Sequence, residues 1–333
     1  MNSKPDRRNF LVKSALGLPA LLAPKSFAAP TRTSSAETAV KGLFESLTEE
    51  QRKVICFEWN HKDKTRGLLR THVSNNWQIT NPTVLSQFYT TNQQRLIREI
   101  FNSIINPKWH TKFLTQLKED TGGKPWGAEQ SIAIFGNPGS GKFEFVMTGR
   151  HMTLRADGNT EDKVAFGGPI FYGHASQTFN EKPGHPGNVF WNQAVLANKV
   201  FDLIDPKEQK RALVEVRPEE SAVGLQGPNG VFTGISVSEL AKSQQIVLQE
   251  ALNGLIDPFR KEDQEEVIAC LNKQGGLKNC HLSYYKEGNL TDGLWDNWRL
   301  EGPSFVWYFR GTPHVHVWVN VADSPNIQLN AKG

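Results

Sequence analysis

The chain has 333 residues, 38% of them hydrophobic, and a formal net charge of +4, enough for one large domain or two small ones. The positive charge sits at the start. Residues 1–28 hold Lys4, Arg7, Arg8, Lys13 and Lys25 against Asp6, so the remainder is neutral. A neutral chain lacks the clustered Lys and Arg that phosphate contacts need, which argues against nucleic acid as a partner. After the first 28 residues, no apolar run approaches the ~18 residues of a helical membrane span.

The N-terminus reads as a targeting segment. Arg7-Arg8-Asn9-Phe10-Leu11 precedes the apolar run Ala15–Ala23, and Ser26-Phe27-Ala28 offers a small-residue cleavage site. The paired arginines resemble a twin-arginine export signal. The expected partner is therefore the twin-arginine export machinery, and the expected location is periplasmic or secreted. Residues 29–40 are small and polar and are expected to be a disordered linker. A single domain is expected over 41–333.

Along that domain, Thr48 to about Phe57 reads as a helix. Between Thr83 and Ile105, the residues Leu85, Phe88, Leu96, Ile97, Ile100, Phe101 and Ile104 fit a helical stripe, and Trp109–Lys118 follows as another helix. The period then changes to two. Ser131–Phe135, Phe143–Met152 and Ile170–Tyr172 read as strands. Helices are expected near Val189–Ile204, Lys207–Ala212, Val237–Leu255 and Glu262–Leu271. Strands His281–Tyr285, Phe305–Phe309 and Val315–Val321 close the chain, the last two joined as a hairpin. Helices grouped between such strands predict an α+β fold with an antiparallel sheet and surrounding helices.

Gly136-Asn137-Pro138-Gly139-Ser140-Gly141-Lys142 satisfies G-x-x-x-x-G-K but does not read as a phosphate loop. Phe143 stands where a metal-binding hydroxyl should be, and strand-like sequence follows where a helix should begin. A β-hairpin turn is the expected structure. Cys56, Cys270 and Cys280 allow at most one internal bridge. Cys270 and Cys280, flanking Gly275-Gly276, are the expected pair, and Cys56 reads as a small buried hydrophobe.

The strongest chemical signal is Pro313-His314-Val315-His316-Val317-Trp318-Val319-Asn320-Val321. Period two puts the valines on one strand face and His314, His316, Trp318 and Asn320 on the other. Two imidazoles at i and i+2 lie about 7 Å apart at Cα and can converge on one ion. His151, in Thr148-Gly149-Arg150-His151-Met152-Thr153, is the first choice for a third ligand. His174, at the end of a strand in a Gly-rich stretch, is the second choice and the candidate fourth ligand. Nitrogen ligation suits Zn or Cu. Arg150 and Arg310 are candidates for orienting an anionic substrate group, and Trp318 for contacting a small molecule. His61 and His185 could line the same pocket; His72, His110 and His281 read as surface or packing residues. Glu144, Asp157, Glu301 and Asp296 are available as acid–base groups, but no spacing singles out a catalytic pair. The absence of G-x-S-x-G disfavours an α/β-hydrolase.

Several blocks resemble a bacterial exported family known as domain of unknown function 3500: Ile134–Pro138, Thr148–Thr153, Phe166–His174, and Gly302–Gly311 followed by His314-Val315-His316. The resemblance spans roughly Phe44 to Val321. Relatives carry Gly-His-His where this chain has Gly149-Arg150-His151. The resemblance implies one exported domain and supplies no reaction. Two functions follow from the residues: a metal-dependent cell-envelope enzyme, hydrolase or oxidoreductase, or a metal-free periplasmic small-molecule binding protein.

Overall fold

The computed structural model describes residues 29–327, apart from 162, 176–184, 186, 188 and 289. Residues 1–28, where the export signal was read, lie outside the described residues. The α-helices are α1 (Ser35–Ser46), α2 (Glu49–Ile55), α3 (Thr91–Ile104), α4 (His110–Asp120), α5 (Trp191–Leu203), α6 (Pro206–Ala212), α7 (Lys242–Ile256) and α8 (Lys261–Lys273). The strands are β1 (Cys56–Phe57), β2 (Lys62–Asp63), β3 (Gly67–Leu68), β4 (Ser131–Gly136), β5 (Phe143–Gly149), β6 (Met152–Ala156), β7 (Ile170–His174), β8 (Leu213–Val214), β9 (Ile235–Ser236), β10 (His281–Tyr285), β11 (Asn297–Gly302), β12 (Phe305–Arg310) and β13 (Val315–Val321).

Local sequence explains the helix starts. Thr48 and Thr90 each accept from the backbone N–H three residues on, while Gln51 and Gln93 reach back to cap the Thr N–H. These capping boxes satisfy donors that a helix start leaves open. In α3, Ile97, Ile100, Phe101 and Ile104 form the buried stripe. The helix begins at Thr91, not Thr83, because residues 83–90 spend their hydrogen bonds elsewhere: Val84 N–H donates to Gln130 O and Leu85 N–H to Gly127 O. The expected linker is also corrected. From Ser35 onward it is helical, and Ala36, Glu37, Ala39 and Val40 are buried. Glu37 is tied bidentately to Arg260, with both N···O distances 2.8 Å.

Eleven strands form one sheet in the order β1-β4-β5-β6-β7-β13-β12-β11-β10-β8, with β9 also paired to β10. The sheet is mixed, not antiparallel throughout. β1 runs parallel to β4, and β8 runs parallel to β10. Each parallel pair is joined through helices, α3 and α4 in one case and α7 and α8 in the other. Such crossovers return the chain to the same end of the sheet, whereas the central strands are mostly joined by hairpins. The expected strand Phe143–Met152 is in fact two strands, with a tight turn at Arg150-His151. The Gly136–Lys142 stretch is the expected hairpin, closed by Asn137 N–H donating to Lys142 O at 2.8 Å. Cys270 and Cys280 are both buried and unbridged, which corrects the expected pairing.

The two faces of the sheet are covered differently. On one face, side chains such as Phe145, Met147, Leu154, Trp307, Val317 and Val319 join one apolar core with the helices. The other face meets two smaller clusters built with Leu69, Val73, Ile79 and Val223, residues of two segments, 57–82 and 215–234, made mostly of loops with short strands and one 3-10 turn.

Candidate metal centre

One end of the sheet gathers the ends of five strands: the β5–β6 turn, the end of β7, the start of β13 and the end of β12. His316 is in β13, opposite Gly173 of β7. A Cβ at residue 173 would lie 2.3 Å from Val315 O, so only glycine lets β7 approach here. His314 lies just before the strand. His151 occupies the second position of the two-residue turn between Gly149 and Met152, with φ of 54°. This left-handed backbone is uncommon for a residue with a Cβ and is held by His151 N–H donating to Asn75 O at 2.9 Å.

These three histidines converge. One ligand atom from each of His151, His314 and His316 lies within 4.8 Å of the others. Ring centroids are 5.0 Å apart for His151–His314, 5.1 Å for His151–His316 and 4.5 Å for His314–His316. Among the described residues, no fourth His, Cys, Asp or Glu joins the group.

Two carboxylates stand behind the imidazoles. His151 Nδ1 is 2.8 Å from Asp120 Oδ2, and His316 Nδ1 is 2.7 Å from Glu220 Oε2. Burial raises the Asp120 carboxyl, but bonds from His151 and His174 outweigh it and hold it at about 2. Glu220 is likewise raised by burial, then brought down to about 2, chiefly by His316 and Arg310. Ionised carboxylates only accept hydrogen bonds, so Nδ1 of His151 and of His316 must carry the proton. Their Nε2 lone pairs are then left for the interior of the cluster, the arrangement found behind metal-binding histidines. Burial pushes His314 down to about 3, with His316 and His151 adding to the effect. Burial also lowers His316, to about 4, against the pull of Glu220. Both imidazoles are neutral at neutral pH, the form a metal requires.

The other expected site residues fall in different places. His174 is not in the cluster. Its Nδ1 is 3.1 Å from Asp120 Oδ1 and its Nε2 is 3.2 Å from Glu119 Oε2. Arg310, expected to meet substrate, is turned onto Glu220 and also donates to His314 O at 3.2 Å. Trp318 is buried; its indole N–H donates to Glu220 Oε2 at 3.3 Å and its ring packs on Phe171 at 4.8 Å. Both placements have one cause: a segment containing Glu220 covers this face of β12 and β13. Arg150 is exposed. His61 packs on Phe57, and His72 on Trp77. Asp120 and Glu220 were missed by sequence reasoning. Asp120 is the last residue of α4 and Glu220 lies in irregular chain, so neither shares a period or motif with the histidines.

Fold and site together define an α+β protein with a three-histidine cluster at one end of a mixed sheet. Residues 29–323 match the family described as protein of unknown function (DUF3500), and the chain belongs to that family. No curated protein and no solved structure matches it.

Proposed function

We propose that this chain is a metal-dependent enzyme of the cell envelope, with Zn or Cu held by His151, His314 and His316. The observation that carries the reading is the convergence of three imidazoles, two of them turned by Asp120 and Glu220 so that Nε2 faces inward. Three protein ligands leave a coordination position for water or substrate, the pattern of catalytic rather than structural sites. Zinc would supply a Lewis acid for hydrolysis, and copper would supply redox chemistry; nitrogen ligation suits either. Arg150, exposed and next to His151, is the residue left to orient an anionic or small-molecule substrate.

Elemental analysis of protein purified from its native compartment is the test. About one equivalent of zinc or copper, lost in His151→Ala, His314→Ala and His316→Ala but kept in His72→Ala, is the expected result. Metal-free protein that gains none on titration with either ion would overturn it. One observation favours a second reading, a metal-free small-molecule binding protein. His314 Nε2 and His316 Nε2 lie 2.8 Å apart, a hydrogen bond that satisfies both atoms without an ion.

The N-terminal sequence supports twin-arginine export to the periplasm or beyond. Replacing Arg7 and Arg8 by lysine should retain the precursor in the cytoplasm. Undiminished export of that variant through the general secretion route would refute the assignment. No described helix is long and apolar enough to cross a membrane.

A further inference from the structure

Asp120 serves two histidines. Oδ2 faces His151 Nδ1 at 2.8 Å, while Oδ1 faces His174 Nδ1 at 3.1 Å and also accepts the Ala175 N–H at 2.7 Å. The Asp120 side chain is fully buried and His174 nearly so. The far nitrogen of His174 meets Glu119, whose side chain is 42% exposed. The line therefore runs from the cluster to the surface: His151, Asp120, His174, Glu119.

The line crosses from one side of the sheet to the other. His174 alternates with Ile170 and Tyr172, which belong to the helix-side core, and Asp120 ends a helix on that side. His316 belongs to the opposite face. His151 stands at the turn between them, on a backbone whose left-handed conformation does not by itself fix the ring. A carboxylate on a single-bonded stem can rotate. Donors on both of its oxygens oppose that rotation, and with it the rotation of the His151 ring; at Oδ1 the Ala175 N–H fixes one direction and His174 Nδ1 adds the second.

We propose that His174 is a positioning residue of the metal centre, acting through Asp120 to hold His151 with its Nδ1 protonated and its Nε2 turned inward. This rests on the metal-site reading for its functional meaning, but the positioning itself is a property of the metal-free protein. His174 donates to Oδ1, and Asp120 then presents Oδ2 to His151. Metal affinity follows, since carboxylates behind ligand histidines contribute about 10–100-fold.

Two substitutions separate positioning from simple packing. In His174→Asn the amide nitrogen takes the place of Nδ1 and keeps the bond to Asp120. In His174→Gln the amide nitrogen takes the place of Nε2, so the contact toward Glu119 is kept and the bond to Asp120 is lost. Both remove a ring from the same site, so a purely structural role would weaken both alike. Zn and Cu affinities are measured by competition with a chelator of known affinity. His174→Asn should stay within about threefold of the unmodified protein, and His174→Gln should bind about tenfold or more weakly. Equal affinities for the two variants would overturn the proposal.

Long-range 1H–15N NMR of the metal-free protein reads the same point independently. The His151 ring should be a single Nδ1–H tautomer in the unmodified chain and in His174→Asn, and a mixture in His174→Gln. An unchanged tautomer in His174→Gln would refute the positioning role. Failure of the unmodified protein to take up metal would sink the metal-site reading alone, leaving the tautomer measurement to decide this one.

Discussion

The two faces of the central sheet solve the same problem in opposite ways. Helices cover one face, and a helix satisfies its own backbone, so the strand side chains beneath it can be apolar. Irregular chain covers the other face, and its backbone groups need partners when buried. The strands supply them. Arg155 donates to Pro169 O and His72 O at 2.7 Å and also to Arg70 O; Thr148 accepts from Ile79 N–H at 2.9 Å; Thr153 donates to Ser74 O at 3.0 Å; Asn320 donates to Val223 O at 2.8 Å. Buried polar side chains on that face are thus fasteners for loops, and the histidine cluster is built at its rim. The comparison teaches that a polar strand face need not be a wet one.

The largest effect should come from breaking a fastener. Glu144 and Arg155 are fully buried and paired at 2.7 Å. Glu144→Ala should cost about 3–5 kcal/mol, because Arg155 keeps its charge without a counter-ion. For a simple buried pair, replacing both partners by apolar residues recovers most of the loss. Here Glu144→Leu combined with Arg155→Met should still cost about 3 kcal/mol or more, since several carbonyls lose their donor. Recovery to the starting stability in denaturant unfolding would break the comparison.

On the helix face the loss should follow volume alone. Leu300→Ala should cost about 2–5 kcal/mol, equally with and without added metal. His316→Ala should differ in that respect. Bound metal at a hundred times its dissociation constant adds about 2.7 kcal/mol, and the variant should lose that increment in thermal unfolding. A His316→Ala loss independent of metal would make the residue structural.

Acidity should sharpen the contrast. His314 and His316 titrate at about 3 and about 4 in the fold, below an ordinary histidine. The unfolded chain then binds more protons below about pH 6.5, so this region loses stability as pH falls from there toward 4. Asp263 and Asp157, buried near α8, are raised by burial to about 7 and about 6. There the folded state holds the extra protons, so stability falls as pH rises from about 4 to 7. In chelator-treated protein, replacing both histidines by Gln should flatten the acid limb of the melting profile, and Asp263→Asn should flatten the opposing one. Identical profiles for all three proteins would refute the assignment.

The smallest effect belongs to Lys142→Ala. It sits beside an exposed hairpin and should change stability by no more than about 0.5 kcal/mol, with no ATP binding to lose. ATP binding abolished by the substitution would restore the phosphate-loop reading.

Period and turn chemistry were legible in the sequence. The alternation from Pro313 to Val321 located β13 and set His316 apart from the valines, and the Pro-Gly-Ser-Gly stretch announced its hairpin. The choice of His151 rested on strand-like sequence, yet its place comes from the turn that interrupts that sequence. The contacts of Trp318 and Arg310 with Glu220 were not legible, because one strand cannot reveal what covers it. Glu37 looked like part of a linker because its partner, Arg260, is 223 residues away. Asp120 and Glu220 were invisible for the same reason: long-range partners leave no local period.

The position of β13 has a consequence for assembly. It is the last of the described strands yet lies in the interior of the sheet, between β7 and β12. Until it inserts, β7 and β12 are both open edges with unpaired backbone, surfaces that invite pairing with another chain. His151 and His174 are made early and wait for His314 and His316, which arrive on the strand that joins the two halves. Closing the sheet and completing the histidine cluster are therefore one event, and a half-made chain carries neither.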